Sequence, residues 1–265
     1  MGNSLEGKVA IVTAGANGIG EGSAFSLAEL RADIVIGDID QTNGERVCER
    51  IRGLGRRAEF VAADMMKLED ARALVRTAVD RLGAVDILVN NAGGVRPRPF
   101  VDQNESNWQR VIDLNLMSML GASHEAAKVM RDGGAVVNVA STEALRAAPG
   151  FSIYAACKAA MSQFTKTLAL ELAPRGIRVN CIAPDLIETP GLAPHMPTDP
   201  EGIDLRNRHV PLGRMASIAE AGSVVAFLAS PASSWVTGVT IPVDGGITAA
   251  GGWHFDTNHQ WRLAS

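Results

Sequence analysis

Seven short apolar runs, each joined to the next by a longer stretch with helical spacing, restrict this chain more than any other feature. The runs lie at 8–13 (KVAIVT), 33–37 (DIVIG), 57–62, 85–90 (VDILVN), 135–140 (AVVNVA), 177–182 and 239–243. Helices are expected at 18–31, 41–53, 68–82, 104–130, 152–174 and 219–229. Strands that read as continuous apolar runs are buried on both faces. Strand–helix alternation then implies right-handed crossovers and a parallel sheet with helices on each side. Two stretches break the rhythm. Residues 190–211 carry five prolines and little periodicity, the mark of a lid or binding loop. The tail, 247–265, follows the last strand and carries Trp253, Phe255 and Trp261.

The first strand runs straight into Thr13–Gly20 (TAGANGIG). Glycines here let the backbone approach a pyrophosphate, and the following helix aims its N-terminal amides at the negative charge. Gly15, Gly18 and Gly20, with Asn17 and Ile19 between them, are therefore the candidate phosphate turn. Asp38 ends the second strand 18 residues after Gly20. A carboxylate there accepts both hydroxyls of an adenosine ribose and repels a 2′-phosphate, so the expected cofactor is NAD rather than NADP. The fold class expected is α/β, a single-domain doubly wound Rossmann-like fold over 1–265 with a seven-stranded parallel sheet flanked by helices. No internal repeat or low-complexity linker divides it.

Composition removes other classes. The net charge of −4 gives no basic field for nucleic acid or an anionic membrane. Cys48, Cys157 and Cys181 are far apart, with no CxxC pair, which argues against a disulfide framework or a metal site and for a reducing, cytoplasmic compartment. The opening MGNSLEGKVA lacks signal-peptide regions, Glu6 stands where myristoylation wants Ser or Thr, and no apolar run approaches about 18 residues.

Tyr154 and Lys158 are four apart, so on a helix they share a face. Tyr154 is the only tyrosine in the chain. A free tyrosine ionises near pH ~10, too high for a base at neutral pH. A lysine ammonium and a cationic nicotinamide beside it are expected to lower that by roughly two to three units, about 3–4 kcal/mol. The phenolate then takes an alcohol proton as hydride leaves the carbon, and the phenol returns it in reverse.

Thr13–Gly20, Asp64, Asn90-Asn-Ala-Gly93, Asn115, Ser141, Tyr154-Ala-Ala-Cys-Lys158, and Pro184 with Ile187 and Thr189 together resemble a short-chain dehydrogenase/reductase over roughly residues 7–246. The resemblance implies that Ser141 hydrogen-bonds the substrate oxygen and that Lys158 also holds the nicotinamide ribose. It implies that Asn115 kinks its helix and holds a water in a proton relay. Asp64, Met65, Asn90, Ala92, Gly93, Pro184, Ile187 and Thr189 join the cofactor contacts on the same ground. A homotetramer is implied too, with the tail's aromatics packed on another subunit.

The chain departs from the family at three places. Ala14 replaces the first glycine of the turn and is expected at negative φ. Cys157 replaces a serine and is expected only to pack. Asp185 replaces a glycine: either it favours cationic NAD⁺ over NADH, or it points to solvent. For the substrate, Arg96, Glu143, Phe151 and Leu186 are the candidates. Arg96, Arg98 and Arg146 either bind a carboxylate or are solvated, and Glu143 either accepts a substrate hydroxyl or pairs with an arginine. A secondary alcohol or ketone is the expected small-molecule partner, whether steroid-like, sugar-like or a 3-oxoacyl thioester. The rival from another class is a catalytically silent NAD-binding sensor or scaffold.

Overall fold

The computed structural model describes residues 2–263. Its frame is one seven-stranded parallel sheet in the order β3-β2-β1-β4-β5-β6-β7. The strands are β1 (Val9–Thr13), β2 (Asp33–Asp38), β3 (Ala58–Ala62), β4 (Ile87–Asn90), β5 (Ala135–Val139), β6 (Arg178–Pro184) and β7 (Thr240–Val243). Every residue of β1, β4 and β5 is buried, because helices cover both faces. One face packs Val12, Leu27, Ile34, Val47 and Leu228; the other packs Ile11, Val35, Leu74, Leu88 and Ala122.

The helices are α1 (Gly18–Glu29), α2 (Gln41–Gly53), α3 (Leu68–Leu82), α4 (Glu105–Ile112), α5 (Ser118–Val129), α6 (Ser152–Leu172), α7 (Pro200–Arg208), α8 (Ile218–Ala229) and the single turn α9 (Ile247–Ala250). α1 and α8 meet at their glycines. A Cβ on Gly22 would lie 2.2 Å from the Ile218 carbonyl oxygen, and one on Gly222 2.3 Å from that of Gly22. Only glycine allows this approach.

Three expectations change here. The helix expected over 104–130 is broken at Asp113–Met117 by a wider π-type turn, and Asn115 sits inside it. The stretch 190–211 contains α7, whose N-cap Asp199 accepts from the Gly202 amide at 2.8 Å. The tail folds back as an antiparallel hairpin, β8 (Trp253–Phe255) with β9 (Trp261–Leu263). No helix among the described residues is long and apolar enough to cross a membrane.

β1 and β4 are neighbours, yet their crossovers leave to opposite sides. This reversal opens a crevice beyond the strand C-termini, where doubly wound folds bind ligands.

Candidate active site

A cleft of about 700 Å³ occupies that crevice. The turn after β1 forms its floor. Ala14 stands at φ +50 and Gly18 at +56, so the expected negative φ at Ala14 is wrong. Asn91 imposes the bend: its side-chain amide donates to the carbonyls of Thr13 (3.1 Å) and Ala14 (2.9 Å). A Cβ on Gly20 would lie 2.2 Å from the Ala14 carbonyl oxygen, and one on Gly15 2.8 Å from Ile36. Gly15 and Gly20 thus shape the turn, while Asn17, Gly18 and Ile19 line the cleft.

Asp38 lines the far end. Its carboxylate accepts from the amides of Ala16 and Asp40, each at 3.0 Å, which fixes it at the rim. Among the described residues no Lys or Arg lines the cleft near it; Lys158 is the only basic residue on the lining besides His195.

The catalytic candidates converge at the other end. Lys158 is buried on α6, and its ammonium donates to the Val139 carbonyl at 2.9 Å. That is its one hydrogen bond to a described residue, so two of three N–H donors remain available toward the cleft. Gly93 is required beside it: a Cβ there would lie 2.9 Å from both Lys158 Nζ and Asn115 Oδ1. Asn115 is fully buried and does not line the cleft. Its amide donates to the carbonyls of Gly94 (2.8 Å) and Val111 (2.9 Å), and its oxygen accepts from the Gly94 amide (3.0 Å). The π-type turn therefore ties α4–α5 to the strand that ends at Asn90.

Tyr154 lies one turn before Lys158, whose Nζ is 5.5 Å from the ring centre. Phe151 packs edge-on against it at 6.2 Å. The ring is partly open to the cleft, but the phenol end is crowded, and burial pushes its pKa up to about 12. Ser141 lies within hydrogen-bonding reach of that phenol and opposes the rise, while the charges of Glu143 and Asp185 add to it. Burial pushes the Lys158 ammonium down to about 8. Desolvation is thus the largest influence on both groups, raising the phenol and lowering the ammonium.

Glu143 accepts from the Ser141 hydroxyl and lies 3.8 Å from Arg146. Asp185 accepts from Thr142 at 2.9 Å and pairs with Arg146. Asp185 therefore does not point to free solvent, and Arg146, though exposed, pairs with carboxylates of this chain.

Pro184, Leu186, Ile187 and Thr189 close the cleft from the β6 side. Thr189 reaches across to the glycine turn, 3.2 Å from where a Gly18 Cβ would stand. Several expected residues are not on the lining. Asn90 gives its amide to Ser123 (2.9 Å) and Asn138 (2.8 Å) beneath the sheet. Asp64 accepts from the Met66 amide, Met65 and Ala92 are buried, and Arg96 is exposed outside the cleft. Asn91 and His195, which the sequence placed only within longer stretches (90–93 and 186–196), both line it. Neighbouring strand residues face opposite ways, so one asparagine of the Asn90–Asn91 pair had to face away.

Comparison with known proteins agrees with this arrangement. A family model described as enoyl-(acyl carrier protein) reductase matches residues 13–248. The 3-oxoacyl-(acyl-carrier-protein) reductase of Thermotoga maritima is 36% identical over 245 residues, covering 92% of this chain and 98% of that protein. The cis-4-hydroxycyclohexanecarboxylate dehydrogenase of Sinomonas cyclohexanicum is 36% identical over 252 residues, covering 94% and 100%. Among solved structures, a short-chain dehydrogenase/reductase from Serratia marcescens matches with a TM-score of 0.86 at 32% identity, covering 92% and 99%. A metagenomic blue fluorescent protein solved in complex with NADPH matches with a TM-score of 0.86 at 33% identity, covering 92% and 99%.

Proposed function

The chain belongs to the short-chain dehydrogenase/reductase family of oxidoreductases, and on that premise we propose that it moves hydride between NAD and a secondary alcohol or ketone, with Tyr154 as acid/base. The observation that carries the reading is Lys158: a buried ammonium with two unused donors, one helical turn from the lone tyrosine, in a cleft that begins at a glycine turn.

The residues fit a nicotinamide dinucleotide. Gly15, Asn17, Gly18, Ile19 and Gly20 would hold its pyrophosphate, Asp38 the adenosine ribose, Lys158 the nicotinamide ribose, and Gly93, Pro184, Ile187 and Thr189 the nicotinamide end. Bound there, the cofactor supplies or accepts the hydride. Asp38, held at the rim with no basic partner among the described residues, supports NAD over NADP.

Tyr154 acts on the substrate oxygen. As a phenol ionising near 12 it is fully protonated at neutral pH, ready to donate to an alkoxide in the reductive direction. As a base it must first lose that proton. From 12 to pH 7 is five units, about 7 kcal/mol, so oxidation relies on added positive charge beside the ring. Lys158 supplies part; Ser141 supplies a hydrogen bond to the substrate oxygen. Asn115 holds the Gly93–Gly94 backbone against Lys158 and so keeps the relay end in place.

Phe151, Leu186, Leu192 and Met196 give the substrate end an apolar wall. Exposed Trp253, Trp261 and Leu263 on the tail hairpin support a homotetramer in which a neighbour covers them. Three buried free cysteines support a cytoplasmic setting. The Thermotoga maritima relative favours a second reading, reduction of a 3-oxoacyl thioester. A screen of secondary alcohols with NAD⁺ and NADP⁺, beside a 3-oxoacyl thioester with NADH and NADPH, tests both. NAD-linked alcohol oxidation is expected; turnover of the thioester alone would overturn the first reading, and no turnover of any substrate would overturn both.

A further inference from the structure

The loop after β5 carries charged groups that the reaction as described does not use. Ser141 Oγ donates to Glu143 Oε2. Thr142 Oγ1 donates to Asp185 Oδ2 at 2.9 Å, and Arg146 Nη2 donates to the same oxygen at 2.5 Å. Arg146 also lies 3.8 Å from Glu143 Oε1. One guanidinium thus spans two carboxylates, which leaves a net negative charge beside the phenol.

A serine hydroxyl has a single proton. While that proton points at Glu143, Ser141 can accept from the Tyr154 phenol but cannot donate to a phenolate or to a substrate oxygen. A carboxylate acceptor makes the stronger, charge-assisted bond, so Glu143 wins this competition over a neutral substrate oxygen. We propose that Glu143 is a positioning residue: it claims the Ser141 proton, so weakening the help that Ser141 gives to ionisation of Tyr154, and is itself restrained by Arg146. Ser141 then turns toward the substrate oxygen only as negative charge grows there, when the two acceptors become comparable. No bond to hydrogen breaks in this step; the hydroxyl only rotates.

The groups facing the phenol are Lys158 and Cys157 from α6, Ser141 and Glu143 from the loop after β5, and Asp185 beyond β6, with Arg146 behind the two carboxylates. Burial is the main reason the phenol keeps its proton, and Glu143 adds to it ahead of Asp185. The proposal rests on Tyr154 being the acid/base, but its test needs no turnover. The lone tyrosine, labelled with ¹³C at Cζ, gives one resonance whose pH titration reads Tyr154 directly.

The titration is run on the full chain with NAD⁺ present, the fold being followed by circular dichroism at each pH. E143Q should lower the midpoint by about one pH unit, roughly a tenfold rise in phenolate fraction. D185N should lower it less, because Asp185 is already paired. R146Q, which leaves both carboxylates unopposed, should raise it. The decisive arm is S141A. With Glu143 in place it should raise the midpoint only modestly, since Glu143 competes for the Ser141 proton that opposes the rise. In E143Q it should raise the midpoint severalfold more, since Ser141 is then free to donate fully to the ring oxygen. Equal S141A shifts in both backgrounds would reduce Glu143 to a distant charge and overturn the proposal, as would an unmoved midpoint in E143Q. The predicted shifts in a chain that turns over no alcohol or ketone would uphold Glu143 and sink the functional reading; turnover with unmoved midpoints would do the reverse.

Discussion

Ala14 is held in a conformation that its side chain resists. Its φ of +50 is enforced from both sides, by the Asn91 amide on its carbonyl and by its own amide donating to Gly37 at 2.7 Å. A left-handed alanine costs about 1–2 kcal/mol, part of which glycine returns as unfolded-state entropy. Ala14→Gly should therefore raise unfolding free energy by about 1 kcal/mol in urea titration; a loss of stability would show that the turn is not strained. Tyr154 makes a second residue-scale prediction. Its folded pKa, near 12, lies above the ~10 of an unfolded chain, so the folded state holds the proton more tightly. That contribution is complete below about pH 10 and fades as pH rises toward 12. Wild type should lose about 2 kcal/mol across the window relative to Tyr154→Phe, after allowance for the ring's partial exposure. Lys158 titrates in both chains, so the difference isolates the phenol.

Helices and strands differ in how plainly the sequence announced them. α2 and α3 match their expected bounds because each carries one apolar stripe between clear ends: Val47, Cys48 and Ile51 in one, Ala71, Leu74, Val75 and Ala78 in the other. The π-type turn was half legible. Asn115 inside DLNLM signalled a polar residue kept in an apolar helix, but the widening depends on Gly94 and Val111 as partners, and the former lies on a distant segment. α7 had an Asp N-cap, a Pro at its first position, Glu201 early and Arg206 and Arg208 late, the proper end signals; five nearby prolines and no buried face hid them. The α1–α8 contact was invisible, because two glycines 200 residues apart carry no mutual signal. It is also the contact most sensitive to a single methyl. Gly22→Ala must push α8 away from a 2.2 Å clash with backbone, and should cost about 3 kcal/mol or more. A thermal midpoint within a degree or two of wild type would show that the helices slide freely.

The molecule as a whole was legible as far as strand alternation reaches: the seven-stranded parallel sheet and its flanking helices follow from run lengths and order, whereas the strand order and its reversal point appear only in the structure. The tail was not, since a three-residue strand pair is too short for a period to show. There the rings of Phe255 and Trp261 meet at 4.1 Å, tilted by 30°, and His254 stacks on His209 at 5.1 Å, so the hairpin lies against the end of α7. Its outer face exposes Trp261 and Leu263. If a neighbouring subunit covers that face, Trp261→Asp should lower the molar mass in light scattering, while an unchanged mass would contradict an interface there. Cofactor choice also belongs to this scale, because Asp38 acts on the far end of the cleft from Tyr154. Asp38→Ala should weaken NAD⁺ binding and raise the NADP⁺ to NAD⁺ preference by about tenfold or more, read from dissociation constants. In the proposed reaction both ends of the cleft serve one proton transfer at a single ring oxygen. The measurement that bears on it most directly is hydride-transfer turnover of Tyr154→Phe with the alcohol the screen selects. A fall of about 10³-fold in kcat/KM with NAD⁺ affinity preserved is the predicted result, and turnover near the wild-type rate would contradict the account.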